Sequence, residues 1–156
     1  MTATLYAPDW IRGVTVKEPW TTSILRGSKR VENRTKPWAP GWRLLHSGAE
    51  KTMDRAALRD PLVARAIRGH QLQFSAVLGV IRITGSHDSR TEAGDLCSPW
   101  AQRDCFHVDL DDDVHVLPLP VPCRGALGPW RVPLPVFEQV LLQLPHLKTL
   151  FPEAMS

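Results

Sequence analysis

The feature that most constrains the fold is the eleven-residue run Phe74 to Thr84, FSAVLGVIRIT. It is far short of the roughly 20 apolar residues that cross a bilayer. Its apolar character extends to both faces, so it needs cover on both sides and belongs at the centre of a sheet. A chain of 156 residues can build one core around such a strand and is short for two. One domain over 1–156 is therefore predicted, with a loose N-terminal arm over 1–10 and a C-terminal helix over 134–150.

Ile11 to Lys17 alternates with β-branched residues and reads as a first strand. Glu18-Pro19-Trp20 then opens a helix, because Pro suits the first helical position and an acid there complements the dipole. That helix runs to Leu25 or Arg26, with Gly27 as a left-handed stop. Further strands are predicted over Arg30–Arg34, Trp42–Ser47, Cys105–Leu110, Val114–Leu119 and Trp130–Val132. Pro37 and Pro40 make Thr35 to Gly41 a loop that carries Trp38. Glu50 to Gly69 has helical spacing and is divided at Pro61, while Pro135 to Leu150 is amphipathic and kinked at Pro145. The polar stretch His87 to Arg103 is long enough for a loop with a function. Short strands and three helical pieces together predict an α+β fold, a small mixed β-barrel with helices at its ends.

With 43% hydrophobic and 22% charged residues the chain has the composition of a globular protein. No apolar run spans a membrane and the N-terminus lacks a signal-peptide core, so a cytoplasmic location and no membrane partner are expected. The net charge is +3, unevenly placed. Arg12 to Arg43 holds eight Lys or Arg against two Glu, whereas Asp104 to Asp113 holds five Asp. One basic and one acidic region follow, and the basic one suits an anionic partner. Three cysteines, Cys97, Cys105 and Cys123, include no CxxC pair. Reduced thiols are expected; together with His107 they match no zinc spacing, so neither metal nor cofactor is predicted. Asp111 to Asp113 lacks the spacing of a calcium loop and reads as a hairpin cap.

The charges are densest in Gly27-Ser28-Lys29-Arg30-Val31-Glu32-Asn33-Arg34. Strand alternation places Lys29, Val31 and Asn33 on one face and Ser28, Arg30, Glu32 and Arg34 on the other. A Lys and a Glu three apart near a cleft tune each other, the acid favouring the ammonium and burial opposing it. A charged Lys29 with Arg34 would grip a phosphate or carbonyl oxygen, and a neutral Lys29 would serve as a general base. The plain alternative is a solvated edge strand with a structural ion network.

These residues carry a resemblance. Gly27, Lys29, Glu32 and Arg34 fill the GxKxxExR motif of the ASCH domain family, a branch of the PUA-like fold. The segments GWRLLHSGAE, AVLGVIRIT, WAQRDCFHVDL and PCRGALGPWRVP resemble the family in order, from about Val14 to Val132. The resemblance implies a β-barrel with a cleft on one side. It implies a module that binds RNA or another nucleic acid, or a nucleoside or nucleotide. It also implies an alternative, a small hydrolase of N4-acylated cytidine or a nuclease. In the family's amidohydrolases a Thr stands where this chain has Glu32.

On this reading Lys29, Glu32 and His46 are the candidate catalytic groups, with His46 positioning the pair or sharing proton transfer with Glu32. A buried, backbone-bonded His46 is the alternative. The candidate binding residues are Lys17, Trp20, Lys29, Arg34, Trp38, Ser47 and Arg124. Trp20 and Trp38 would stack a base, which is worth about 1–3 kcal/mol on an exposed aromatic ring, while Trp42 and Trp130 read as core. Arg124 precedes Gly125 and Gly128, where bare amides and a guanidinium could receive an anion.

Overall fold

The computed structural model describes residues 3–152. The apolar run does become the centre of the fold, as β4, which starts at Ala76 and extends to Asp88. One edge of β4 pairs antiparallel with β3 (Gly41–Ser47). The other edge pairs first with β6 (His115–Pro122) and then with β5 (Phe106–Leu110). Register shifts between Val77 and Gly79 and between Ile83 and Gly85 let the strand pass from one partner to the next.

Beyond β3 lies β1 (Ile11–Val16), parallel to it, and then the short β7 (Trp130–Arg131). Beyond β5 lies β2 (Val31–Arg34). The resulting α+β fold has a seven-stranded mixed sheet in the order β2-β5-β4-β3-β1-β7, with β6 off this path on the first half of the β4 edge that β5 also occupies. Among the described residues no ladder joins β2 to β7, so the sheet stays open and backbone pairing does not form the expected closed barrel.

Both faces of the sheet are covered. Leu44, Val77 and Val80 join Phe137, Val140 and Leu147 in one apolar cluster. Leu45, Leu78, Ile81 and Ile83 join Val16, Ile24, Leu25 and Val108 in the other. Simple alternation would separate Val77 from Val80. The irregularity after Val77 resets the parity and returns both to one face. Each fully buried aliphatic side chain stabilises the fold by about 1.5–3 kcal/mol.

The helices are α1 (Trp20–Arg26), α2 (Pro61–Ile67), α3 (Leu134–Gln143) and α4 (Leu147–Leu150). Glu18 is fully buried; its carboxylate accepts from the Thr22 amide (2.7 Å), the Thr22 hydroxyl (2.6 Å) and the Gln73 amide (3.1 Å). It thus ties the start of α1 to the approach to β4. Burial pushes its carboxyl pKa up, against these three donors.

Four expectations change. Gly27 ends α1 in extended rather than left-handed backbone (φ −110°). It is small because a Cβ there would lie 2.5 Å from Ala66 Cβ on α2. Over its described residues 3–10 the N-terminal arm is not loose, residues 1–2 lying outside the described part: the Ala7 amide donates to Val132 O and Leu5 O accepts from the Leu134 amide. Trp10, behind it, packs on Phe151 with ring centroids 5.1 Å apart. The first half of the 50–69 segment forms two 3-10 turns instead of an α-helix, whereas Pro61 opens α2 as its first residue behind the Asp60 cap. The C-terminal helix is broken into α3 and α4 rather than kinked, because Pro145 pushes Leu144 out of helical backbone (φ −128°, ψ 67°).

Candidate functional site

A cavity of about 990 Å³ opens where the ends of β1 and β3, the start of α1, β2 and the loop after β6 meet. Its floor is the motif. Lys29 is only 1% exposed. Its ammonium donates to Val31 O and to Glu32 Oε1 (3.0 Å), and lies over the Trp20 ring, 5.5 Å from the centroid. Glu32 Oε2 in turn accepts from Arg34 Nη2 at 3.0 Å, and the same nitrogen donates to Thr15 O at 3.1 Å.

Strand alternation would have set Lys29 and Glu32 on opposite faces. They meet because β2 begins only at Val31, leaving Lys29 outside the strand with its side chain folded back onto Val31 O. A carboxylate between two cations is a buried, charge-assisted network whose members hold each other in one geometry. Arg34 Nε is buried without a partner among the described residues.

The aromatic wall is built from the start of α1 and the loop between β2 and β3. Trp38 is fixed by Ser86, whose hydroxyl accepts from the Trp38 amide (3.1 Å) and donates to its carbonyl (2.8 Å). The Arg34 guanidinium stacks on one face of Trp38, 4.4 Å from the ring centroid. Trp20 is half-buried and its indole N–H donates to Asp54 Oδ2 at 3.3 Å. Trp130 is core, and Trp42 is half-buried against Phe151.

His46 lines the cavity, yet both ring nitrogens are committed. Nε2 donates to Cys123 O at 2.7 Å, which leaves Nδ1 to accept from the Thr15 hydroxyl at 3.1 Å. Thr15 Oγ1 accepts in turn from the Trp130 indole at 3.2 Å. Burial pushes the His46 pKa down, against the opposing pull of the Cys123 carbonyl. A neutral imidazole in a fixed tautomer results. Among the described residues no hydrogen bond joins it to Glu32, so the geometry makes His46 a brace for the loop after β6 rather than a partner of the ion network.

Lys17 and Arg124 are exposed and line the cavity from separate segments, and neither side chain has a partner among the described residues. Ser47 falls outside the lining. It is fully buried and its hydroxyl donates to Gln73 O at 2.5 Å, so it is a clasp between β3 and the approach to β4. The other eight sequence-derived candidates, Lys17, Trp20, Lys29, Glu32, Arg34, Trp38, His46 and Arg124, all line the cavity.

Sequence reasoning missed Thr15, Asn33, Asp54 and Gln102, which also line it. Asn33 ties β2 to the loop after β4, donating to Trp100 O (2.9 Å) and accepting from the Gln102 amide (2.9 Å). Gly125 was visible only as a bare-amide turn. Its position is tighter than that, because a Cβ would lie 2.3 Å from Thr15 Oγ1 and 2.7 Å from His46 Nδ1. No family model matches the chain, and no curated protein matches it.

Proposed function

We propose that the cavity binds a nucleotide or a segment of single-stranded nucleic acid, with RNA as the leading partner. The observation that carries this reading is the pair of unpartnered cations, Lys17 and Arg124, opening into the same cavity as Trp20 and the Arg34–Trp38 stack. Phosphate oxygens suit free ammonium and guanidinium groups, while a base suits an indole or guanidinium plane. The cavity volume lies within the range of small-molecule sites, about 300–1,000 Å³. The motif resemblance to ASCH domains supports the same reading, and a PUA-like arrangement of the strands is part of the proposal.

In this account Lys29, Glu32 and Arg34 act as a preset frame. Glu32 holds both cations in place, and the guanidinium of Arg34 offers the face away from Trp38 to a base. Lys17 and Arg124 meet phosphates. The indole of Trp20 stacks beside them.

Titrating the full chain with a short single-stranded oligoribonucleotide, followed by indole fluorescence, tests this. Quenching that saturates, and that weakens in Trp20→Leu and Arg124→Ala, is expected. Unchanged fluorescence together with no heat of binding would overturn it.

The buried Lys29–Glu32 pair at 3.0 Å favours one further reading, hydrolysis of an acylated nucleoside. There Glu32 and Lys29 would exchange a proton with the attacking water and the leaving amine, and Arg34 would face the oxyanion. Release of acetate from N4-acetylcytidine, abolished in Lys29→Met, is the outcome that reading requires. Binding with no release favours the module.

A further inference from the structure

The strongest unassigned cluster lies outside the cavity, where the end of β4 and the start of β5 face the loop of residues 89–105. Four ligand atoms from His87, Glu92, Cys97 and His107 all lie within 4.8 Å of one another. Glu92 Oε1 is 2.6 Å from His87 Nε2 and 3.1 Å from His107 Nδ1. The two imidazole nitrogens are 3.2 Å apart, and Cys97 Sγ is 3.4 Å from His107 Nδ1.

The outer bonds determine what these atoms present inward. His87 Nδ1 donates to Asp109 Oδ2 at 2.9 Å, and His107 Nε2 donates to Gln102 O at 2.6 Å. With each outer nitrogen so committed, the inner nitrogens His87 Nε2 and His107 Nδ1 face the centre, where His87 Nε2 donates to Glu92 Oε1. Two imidazole nitrogens, a carboxylate and the Cys97 thiol meet there. Glu92 Oε2 is buried with no partner among the described residues.

We propose that His87 Nε2, Glu92, Cys97 Sγ and His107 Nδ1 form a structural zinc site that staples the 89–105 loop to the sheet. The donor set of two nitrogens, one oxygen and one sulfur suits Zn²⁺, which binds four such ligands at about 2.0–2.3 Å. Ligands at that radius on a tetrahedron stand about 3.3–3.7 Å apart, close to three of the four spacings given above, and the remaining two of the six pairs lie within 4.8 Å. The fourth, between His87 and Glu92, widens as the metal enters. His87 gives up its Nε2 proton and Cys97 its thiol proton to solvent, and the two bind as imidazole nitrogen and thiolate. Zinc-bound histidines characteristically donate their other N–H to a carboxylate or a carbonyl, as both do here.

The consequence reaches the cavity. Gln102, whose carbonyl accepts from His107 Nε2, lines the cavity and donates its amide to Asn33, and Trp100 on the same loop donates its indole N–H to Ser28 Oγ at 3.1 Å. The metal would thus fix one wall of the binding site without touching the ligand.

The test uses the full chain, freed of metal with a chelator and titrated with Zn²⁺ and with Co²⁺. One metal per chain is expected by elemental analysis, with a rise in thermal midpoint. The cobalt form should show intense tetrahedral visible bands and a near-ultraviolet thiolate charge-transfer band. Cys97→Ser loses that band and Asp109→Asn weakens binding about 10–100-fold, while His115→Gln leaves both intact. Circular dichroism checks that each variant is folded, and the cobalt spectrum of the unaltered chain decides the matter if any is not. Failure to take up stoichiometric metal overturns the proposal. So does a weak octahedral cobalt spectrum, affinity unchanged in Cys97→Ser, or affinity lost in His115→Gln.

Discussion

Removing the Lys29 ammonium while keeping its bulk, as Lys29→Met, isolates the ion network at the floor of the cavity. Glu32 is 6% exposed and its two oxygens each accept one cation at 3.0 Å. Breaking one member of a buried ion pair costs about 3–5 kcal/mol, because the remaining charge stays desolvated. Arg34 still holds Glu32 in this variant, so the loss should fall at the low end, about 3 kcal/mol. Against a total stability of about 5–15 kcal/mol that is a large fraction. It should lower the thermal midpoint by about 6–12 °C for a chain of this size. Glu32→Gln should cost a similar amount by leaving Lys29 buried without its anion. Because each variant already breaks the same contact, Lys29→Met/Glu32→Gln should lose less than the sum. The shortfall should be about 1.5–3 kcal/mol, the worth of a charge-assisted hydrogen bond. Urea denaturation of the four proteins measures it. Additivity within about 0.5 kcal/mol would mean that the pair is solvated and uncoupled, which would refute the frame on which the site depends.

Other perturbations probe other parts of the account. Burial holds the His46 pKa below 6.5 in the fold, so the unfolded chain binds the extra proton as pH falls. The stability that His46 contributes as a neutral ring is complete above pH 6.5 and is lost as pH drops toward its folded value. His46→Gln should flatten the slope of unfolding free energy in that window, and an unchanged slope would count against a buried neutral imidazole. Gly125→Ala places a Cβ 2.3 Å from Thr15 Oγ1. It should shift the loop carrying Arg124 and weaken oligoribonucleotide binding in the same fluorescence titration. Gly27→Ala pushes α1 from α2 at Ala66 and should cost about 1–3 kcal/mol of overpacking strain, read as a lower urea midpoint, with ligand affinity at saturating fold unchanged.

The central strand was legible because its residues are apolar on both faces, a property that only a covered strand satisfies. Pro61 and the Asp111–Asp113 turn were legible for similar local reasons, and the Asp113 amide does bond Asp111 Oδ1 at 2.9 Å. What local pattern could not carry was long-range closure. Whether β2 and β7 pair is decided by two strands nearly a hundred residues apart in the chain, and nothing in either strand's residues records it. Parity failed where bulges reset it, as between Val77 and Val80, and where a strand began late, as at Lys29. The arm misled because two backbone bonds and the Trp10 indole hold its described residues 3–10, and neither leaves a period in the sequence. Cys97 and His107 were weighed with the wrong companions. Their neighbours are His87 and Glu92, which only the return of the 89–105 loop brings close.

The most direct measurement is the salt dependence of oligoribonucleotide affinity in the full chain and in Lys17→Ala/Arg124→Ala. Two phosphates neutralised on a single strand give a slope of log affinity against log salt of about −1.4. The account predicts that slope for the unaltered chain and a slope near zero, with weaker binding, in the double variant. A salt-insensitive affinity, or a slope that the double variant leaves unchanged, would contradict it.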